Sequence, residues 1–149
     1  MSDDLSLGRQ VCFALYAASR AVTQAYRSAL EPLGLTYPQY LVMLVLWERG
    51  PLTVKDLGTA LDLDSGTLSP LLKRLEATGY VDRRRSTVDE RAVEIHLTDA
   101  GTALRERAAA VPGMLLRSTG MTTTELVALR DELVRLTGSV SAHPLGEQQ

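Results

Sequence analysis

Cys12, Tyr16, Tyr26 and Tyr37 are the residues of this 149-residue sequence whose types and spacing can do chemistry. The thiolate is the reactive form of cysteine, and a peroxide converts it first to a sulfenic acid. A phenol that donates a hydrogen bond to the sulfur favours that thiolate. Tyr16 follows Cys12 by four residues, so on a helix the two share a face. Tyr26 follows by fourteen, which on one straight helix is about 21 Å. It cannot touch the Cys12 of its own chain, and Tyr37 lies further on, past a glycine. If these phenols meet the thiol, they come from a second copy of the chain. Cys12 is the only cysteine, so an intrachain disulfide is excluded. The competing reading makes Cys12 a small buried hydrophobe and each tyrosine an amphipathic packing residue.

The elements that must hold these side chains can be read from periodicity and caps. Apolar residues at helical spacing (Val11, Leu15, Ala18, Val22, Ala25, Ala29, Leu33) predict a long helix over 5–33, stopped by Gly34. Thr36 with Gln39 forms a capping box, with Pro38 tolerated in the first turn. The helix it opens passes Leu41, Leu44 and Trp47 and ends at Arg49-Gly50-Pro51. It is apolar on most faces, so it belongs in the core. A short helix from Thr53 to about Leu61, a tight connection at 62–65 and a helix over 66–78, capped by Ser65 or Asp64, predict a helix-turn-helix. Its shared core is Leu57, Leu61, Leu68, Leu71, Leu72 and Leu75. Strands over 80–85 and 92–97, joined by the polar stretch 86–91, add a β-hairpin wing. Thr98 caps a helix to about Leu116 that Pro112-Gly113 should kink or interrupt. Thr122 and Glu125 box the start of a last helix to about Val140. Residues 141–149 read as a loose tail.

Composition bounds the partners. The chain is 45% hydrophobic, with net charge −2 and pI near 5.7. It is no general polyanion binder, and any nucleic-acid surface must be local. The acidic N-terminus MSDDLSLGRQ does not read as a secretion signal. No apolar run reaches the length of a membrane span. A single free thiol suits a reducing cytosol, so the expected location is cytoplasmic.

Asp89, Arg91 and the following Leu97-Thr98 match the wing signature of the MarR family of dimeric bacterial repressors, which the chain resembles over nearly its whole length. Cys12-Phe-Ala-Leu-Tyr16, Tyr26 and Leu35-Thr-Tyr-Pro-Gln-Tyr-Leu-Val-Met43 look like the organic-hydroperoxide-resistance regulators of that family. So does Leu63-Asp-Ser-Gly-Thr-Leu-Ser-Pro-Leu-Leu-Lys-Arg-Leu75. Some members of the group pair the sensing cysteine with a second, resolving one. This chain has none and resembles the one-cysteine class. The resemblance implies a mainly α fold: one domain over 1–149, with a winged helix-turn-helix at 36–98. Dimerisation helices are implied at 5–33 and 99–140, with a flexible tail at 141–149. No cofactor is expected, and neither His96, on a strand, nor His143, in the tail, has a partner spacing that suggests a metal site. The resemblance also implies a homodimeric repressor of pseudo-palindromic double-stranded operator DNA. An organic hydroperoxide would oxidise Cys12, with Tyr16 in the same chain and Tyr26 and Tyr37 from the partner. A low-molecular-weight thiol would cap the product, and the operator would be released.

The expected DNA face is Ser65, Thr67 and Ser69 on the first turns of the recognition helix, with Lys73 and Arg74 further along. The wing adds Arg83, Arg84, Arg85 and Arg91, with Asp89 placed to hold the Arg91 guanidinium. A charge run of this kind can also be no more than a solvated face. Two other functions remain open. One is a MarR-type repressor that answers a small ligand, with Cys12 structural. The other is a cysteine peroxidase, against which stand the missing resolving cysteine and the absence of an α/β scaffold. The chain is therefore read as no enzyme.

Overall fold

A computed structural model describes residues 4–147. A 3-10 turn at Leu7–Arg9 precedes α1 (Val11–Leu30), and a second one at Glu31–Leu33 leads to α2 (Tyr37–Arg49). Then come β1 (Leu52–Thr53), α3 (Val54–Leu61), α4 (Ser65–Thr78), β2 (Val81–Arg85) and β3 (Val93–Leu97). Three helices follow, α5 (Asp99–Ala108), α6 (Val111–Thr119) and α7 (Thr123–Ala142), and a last 3-10 turn at Leu145–Glu147. The chain is mainly α with a small antiparallel sheet. It divides into two compact units, Met1–Val111 and Pro112–Gln149.

The first helix is shorter than the expected 5–33. Gln10 is extended (φ −84°, ψ 110°), so the helix proper starts at Val11. Leu5 and Leu7 before it are exposed, and Leu7–Arg9 forms only a 3-10 turn. At the other end Pro32 lacks an N–H to continue the ladder. The chain tightens into the 3-10 turn and leaves it through Gly34 at φ 69°, in the left-handed region.

The core belongs to the first unit, and α2 runs through it. Its capping box is formed: the Gln39 N–H donates to Thr36 Oγ1, and the Thr36 N–H donates to Gln39 Oε1 at 3.0 Å. Tyr40, Val42, Met43, Val45 and Leu46 are buried, whereas Leu44 points outward. Leu57, Leu68, Leu71, Leu72 and Leu75 from α3 and α4 join them, with Val81 and Ile95 from the sheet. Leu61 is only partly buried against this cluster.

Strand β3 lies in the middle of the sheet. It pairs with β2 (Val81 opposite Leu97, Arg85 opposite Val93) and with β1 (Leu52 opposite Ile95). The sequence predicts the two-stranded hairpin; β1, two residues long, offers no alternation to read.

The helix expected from Asp99 to about Leu116 is two helices. Pro112 can neither donate to the carbonyl of Ala108 nor avoid crowding it, and α5 ends at Ala108. Pro112 then sits in the first turn of α6, where its missing N–H costs nothing. In the second unit the Thr122–Glu125 capping box starts α7, which reaches Ala142, two residues beyond expectation. Of the expected tail 141–149, Ser141 and Ala142 are helical, and residues 148–149 lie outside the described residues.

The helix-turn-helix elbow is tight. Asp62 adopts φ 55° and the Leu63 N–H donates to the Gly58 carbonyl at 2.9 Å. A Cβ at Gly58 would stand 2.7 Å from the Leu63 carbonyl oxygen, which is backbone and cannot rotate away. Gly58→Ala should therefore destabilise the first unit by roughly 1–3 kcal/mol, read as a lower urea midpoint. An unchanged midpoint would show that the elbow widens freely.

Candidate functional site

Cys12 is the second residue of α1, and it is exposed. In a first helical turn the backbone N–H groups have no intrahelical acceptor, and the end of the helix favours negative charge. Gln10, the N-cap, offers no side-chain bond to these groups. Tyr16, one turn on, is 62% exposed, with the Arg20 guanidinium carbon 5.6 Å from its ring centre. Val11 and Phe13 are exposed beside it. The thiol therefore lies on an apolar surface open to water, and burial is not its role in the single chain.

Tyr26 and Tyr37 are brought together. Their rings stack across α1 and α2 with centroids 4.5 Å apart. Tyr40 closes the group at 5.7 Å from Tyr26 and 6.4 Å from Tyr37. Tyr40 is 3% exposed and stands outside the expected set; its sequence signal is its place one turn after Tyr37. Burial, and then the neighbouring phenols Tyr37 and Tyr40, push the Tyr26 hydroxyl up to about 12. Burial also raises Tyr37, and burial with Tyr37 raises Tyr40. All three keep their protons at neutral pH and can act as hydrogen-bond donors. A cleft of about 510 Å³ opens beside Tyr37, lined also by Thr23, Arg27, Leu35 and Pro38. Cys12 and Tyr26 both lie on α1, so the separation of about 21 Å along the helix stands.

The second constellation is on α4 and the wing. Asp64, not Ser65, is the N-cap: its carboxylate accepts from the Thr67 N–H at 2.7 Å, which holds its pKa below the usual range. Ser65 and Thr67 are exposed, and Ser69 is half-buried. Lys73 and Arg74 are exposed on the same helix. The strand arginines are not equivalent. Arg83 pairs with Glu76 of α4 at 3.0 Å, and Arg84 with Asp82 at 3.0 Å. Arg85 and Arg91 are exposed and, among the described residues, form no ion pair within 4 Å.

The wing tip is built differently from expectation. Asp89 accepts from the backbone N–H of Arg91 at 3.0 Å, so its carboxylate shapes the turn rather than holding the guanidinium. Ser86, absent from the expected set, is 7% exposed and its Oγ accepts from the N–H groups of Val88 and Asp89. Lys55 is absent from it too. It lines the open groove at the helix-turn-helix elbow with Thr59 and Ser65; its signal is a cation on the helix preceding the recognition helix. Among the described residues no three His, Cys, Asp or Glu side chains are grouped as metal ligands. His96 lies 2.9 Å from Glu94. No described helix is long and apolar enough to cross a membrane.

A helix-turn-helix followed directly by a hairpin wing with exposed cations defines a winged-helix transcriptional regulator, a DNA-binding protein and not an enzyme. Comparison agrees: the family described as transcriptional regulator SarA/Rot matches residues 24–107. The chain is 52% identical over 140 residues to the HTH-type transcriptional regulator TtmR of Methylorubrum extorquens, covering 94% of this chain and 72% of that one. It is 47% identical over 134 residues to the organic hydroperoxide resistance transcriptional regulator of Bacillus subtilis, covering 90% and 91%. AbfR of Staphylococcus epidermidis superposes with a TM-score of 0.76 at 39% identity, covering 94% and 97%; reduced AbfR bound to DNA gives 0.76 over 93% and 96%. The chain belongs to the MarR family of transcriptional regulators, in its organic-hydroperoxide-resistance type, with one cysteine.

The phenol group has a consequence for stability against pH. A phenol raised in the fold stays protonated there while the unfolded chain has lost its proton. The Tyr26 contribution is therefore complete below about pH 10 and lost as pH rises toward about 12. Denaturant midpoints should fall over that window, and less steeply in Tyr26→Phe. Equal slopes in the two proteins would remove Tyr26 as the source.

Proposed function

We propose that the chain is a homodimeric repressor that senses organic hydroperoxide at Cys12 and then releases its operator. The observation that carries this reading is the mismatch within one chain. An exposed thiol and a protonated phenol pair lie on the same helix and its neighbour, too far apart to meet except between two copies. In that pairing Tyr16 serves its own chain's thiol, while Tyr26 and Tyr37 donate to the partner's. The Cys12 thiolate attacks the terminal peroxide oxygen. The O–O bond breaks as an S–O bond forms, leaving Cys12 as sulfenic acid and the organic group as its alcohol after protonation. With no second cysteine in the chain, a low-molecular-weight thiol attacks the sulfenic sulfur and expels water, forming a mixed disulfide. The adduct enlarges a side chain at the junction of the two copies and strains the arrangement that binds DNA. The name of the Bacillus subtilis relative and the DNA-bound form of AbfR support both halves of this reading.

The DNA half assigns Ser65, Thr67 and Ser69 to the major groove, and Lys55, Lys73 and Arg74 to phosphates. Two recognition helices of a dimer would read half-sites about 34–36 Å apart. On the wing, Arg85 and Arg91 reach DNA, while Arg83 and Arg84 spend part of their charge on Glu76 and Asp82. Arg91→Ala should weaken operator binding and reduce the salt dependence by about one phosphate equivalent, without lowering the melting midpoint. Normal affinity across a salt series would refute the wing assignment.

Cys12→Ser tests the sensor half. The variant should bind the operator as the parent does and remain bound after treatment with cumene hydroperoxide and a small thiol. Release of the variant by peroxide would favour a regulator that answers a ligand elsewhere.

A further inference from the structure

The turn between α1 and α2 is held by two side chains from distant parts of its unit. The Tyr80 hydroxyl donates to the Leu33 carbonyl at 2.8 Å, and the Arg107 guanidinium donates to the Pro32 carbonyl at 2.7 Å. Carbonyls at the end of a helix have no partner within it, and here Tyr80 and Arg107 supply one. On one side of the turn stands α1 with Tyr26. On the other stands α2 with Tyr37 and Tyr40.

Tyr80 is also fixed through its backbone. Its N–H donates to the Leu75 carbonyl at 3.0 Å, closing α4 behind Gly79. Its carbonyl accepts from the N–H of Thr98, the N-cap of α5, at 3.1 Å. Gly101 packs so closely against that same carbonyl that no Cβ fits there, and the Gly101 carbonyl in turn accepts from the Trp47 indole at 2.9 Å. The end of the recognition helix, the root of the wing and the start of α5 converge on one residue. Its phenol reaches the α1–α2 turn.

We propose that Tyr80 is the positioning residue that couples the α1–α2 turn to the recognition helix and wing. The proposal rests on the peroxide-sensor reading above. An adduct that presses on the Tyr26–Tyr37 pair displaces α1 against α2, and the 3-10 turn between them must move. With the Tyr80 phenol bonded to Leu33, that movement pulls on the last turn of α4 and the start of β2. Without the phenol, the turn moves alone. Arg107 reinforces the same turn through Pro32.

The test compares the full-length protein with Tyr80→Phe and, as a second variant, Arg107→Ala. Operator Kd is measured in the reduced state and after cumene hydroperoxide with a small thiol. Intact mass follows Cys12 oxidation, and melting midpoints report the fold. Tyr80→Phe should oxidise at the parent rate and bind the operator nearly as well when reduced. Its ratio of oxidised to reduced Kd should shrink by about 3- to 10-fold, the range one neutral hydrogen bond carries. Arg107→Ala should shift the ratio in the same direction. An unchanged ratio in both variants, with Cys12 fully oxidised and the parent released, would overturn the coupling alone. The coupling is equally overturned if Tyr80→Phe lowers the melting midpoint and the reduced affinity but leaves the ratio unchanged. If the parent stays on DNA with Cys12 oxidised, the sensor reading falls and the coupling falls with it.

Discussion

Burial of α2 on nearly every face is the constraint from which the first unit is organised. A helix apolar all round is stable only inside a core, so α1, α3, α4 and α5 each pack against it. Val42, Met43 and Leu46 are covered by the leucines of α3 and α4. That covering sets the recognition helix with its polar N-terminal turns and Lys73 and Arg74 outward. The two ends of α2 serve different tasks. At its start the capping box places Tyr37 and Tyr40 against Tyr26 of α1. Near its end the Trp47 indole bonds to Gly101 of α5.

Two other helices meet the opposite condition. In the first unit, the leading half of α1 shows Val11, Phe13 and Tyr16 to water. In the second, α7 buries none of its residues, and Val127, Leu129, Val134, Leu136 and Val140 are exposed. Exposed apolar area is unfavourable by roughly 25 cal/mol per Å². Such faces are the physical motive for the proposed pairing of copies, which would also bring a thiol to the phenols. Under that proposal the thiol of one chain meets the Tyr26 and Tyr37 phenols only in a second copy.

The charge pattern makes a parallel distinction on the wing. The whole chain is acidic, yet cations gather on α4 and β2. Glu76 and Asp82 engage Arg83 and Arg84. These pairs are largely exposed and contribute little to stability, but they orient the side chains that make them. Arg85 and Arg91 form no ion pair among the described residues. Ser86 and Asp89 give the tip its shape by accepting backbone N–H groups, which lets the turn be polar and still ordered.

Elements whose signals lie within a few residues are legible in the chain alone. The Thr36–Gln39 and Thr122–Glu125 boxes, the Thr98 cap, the stop at Gly34 and the leucines of the helix-turn-helix follow local rules of backbone pairing and periodicity. The structure obeys those rules at the caps and at Gly34, and it buries those leucines except Leu61, which is only partly covered. The separation of Cys12 from Tyr26 is legible for the same reason, because a helix converts residue count into distance. Which long side chains are occupied and which are free is settled only when distant segments pack. Arg83 turns to Glu76, Asp89 to a backbone N–H, and Tyr80 to a carbonyl 47 residues away. Packing also settles that a two-residue β1 completes the sheet. Such partners are chosen between segments far apart in the chain, and no pattern within one segment encodes them.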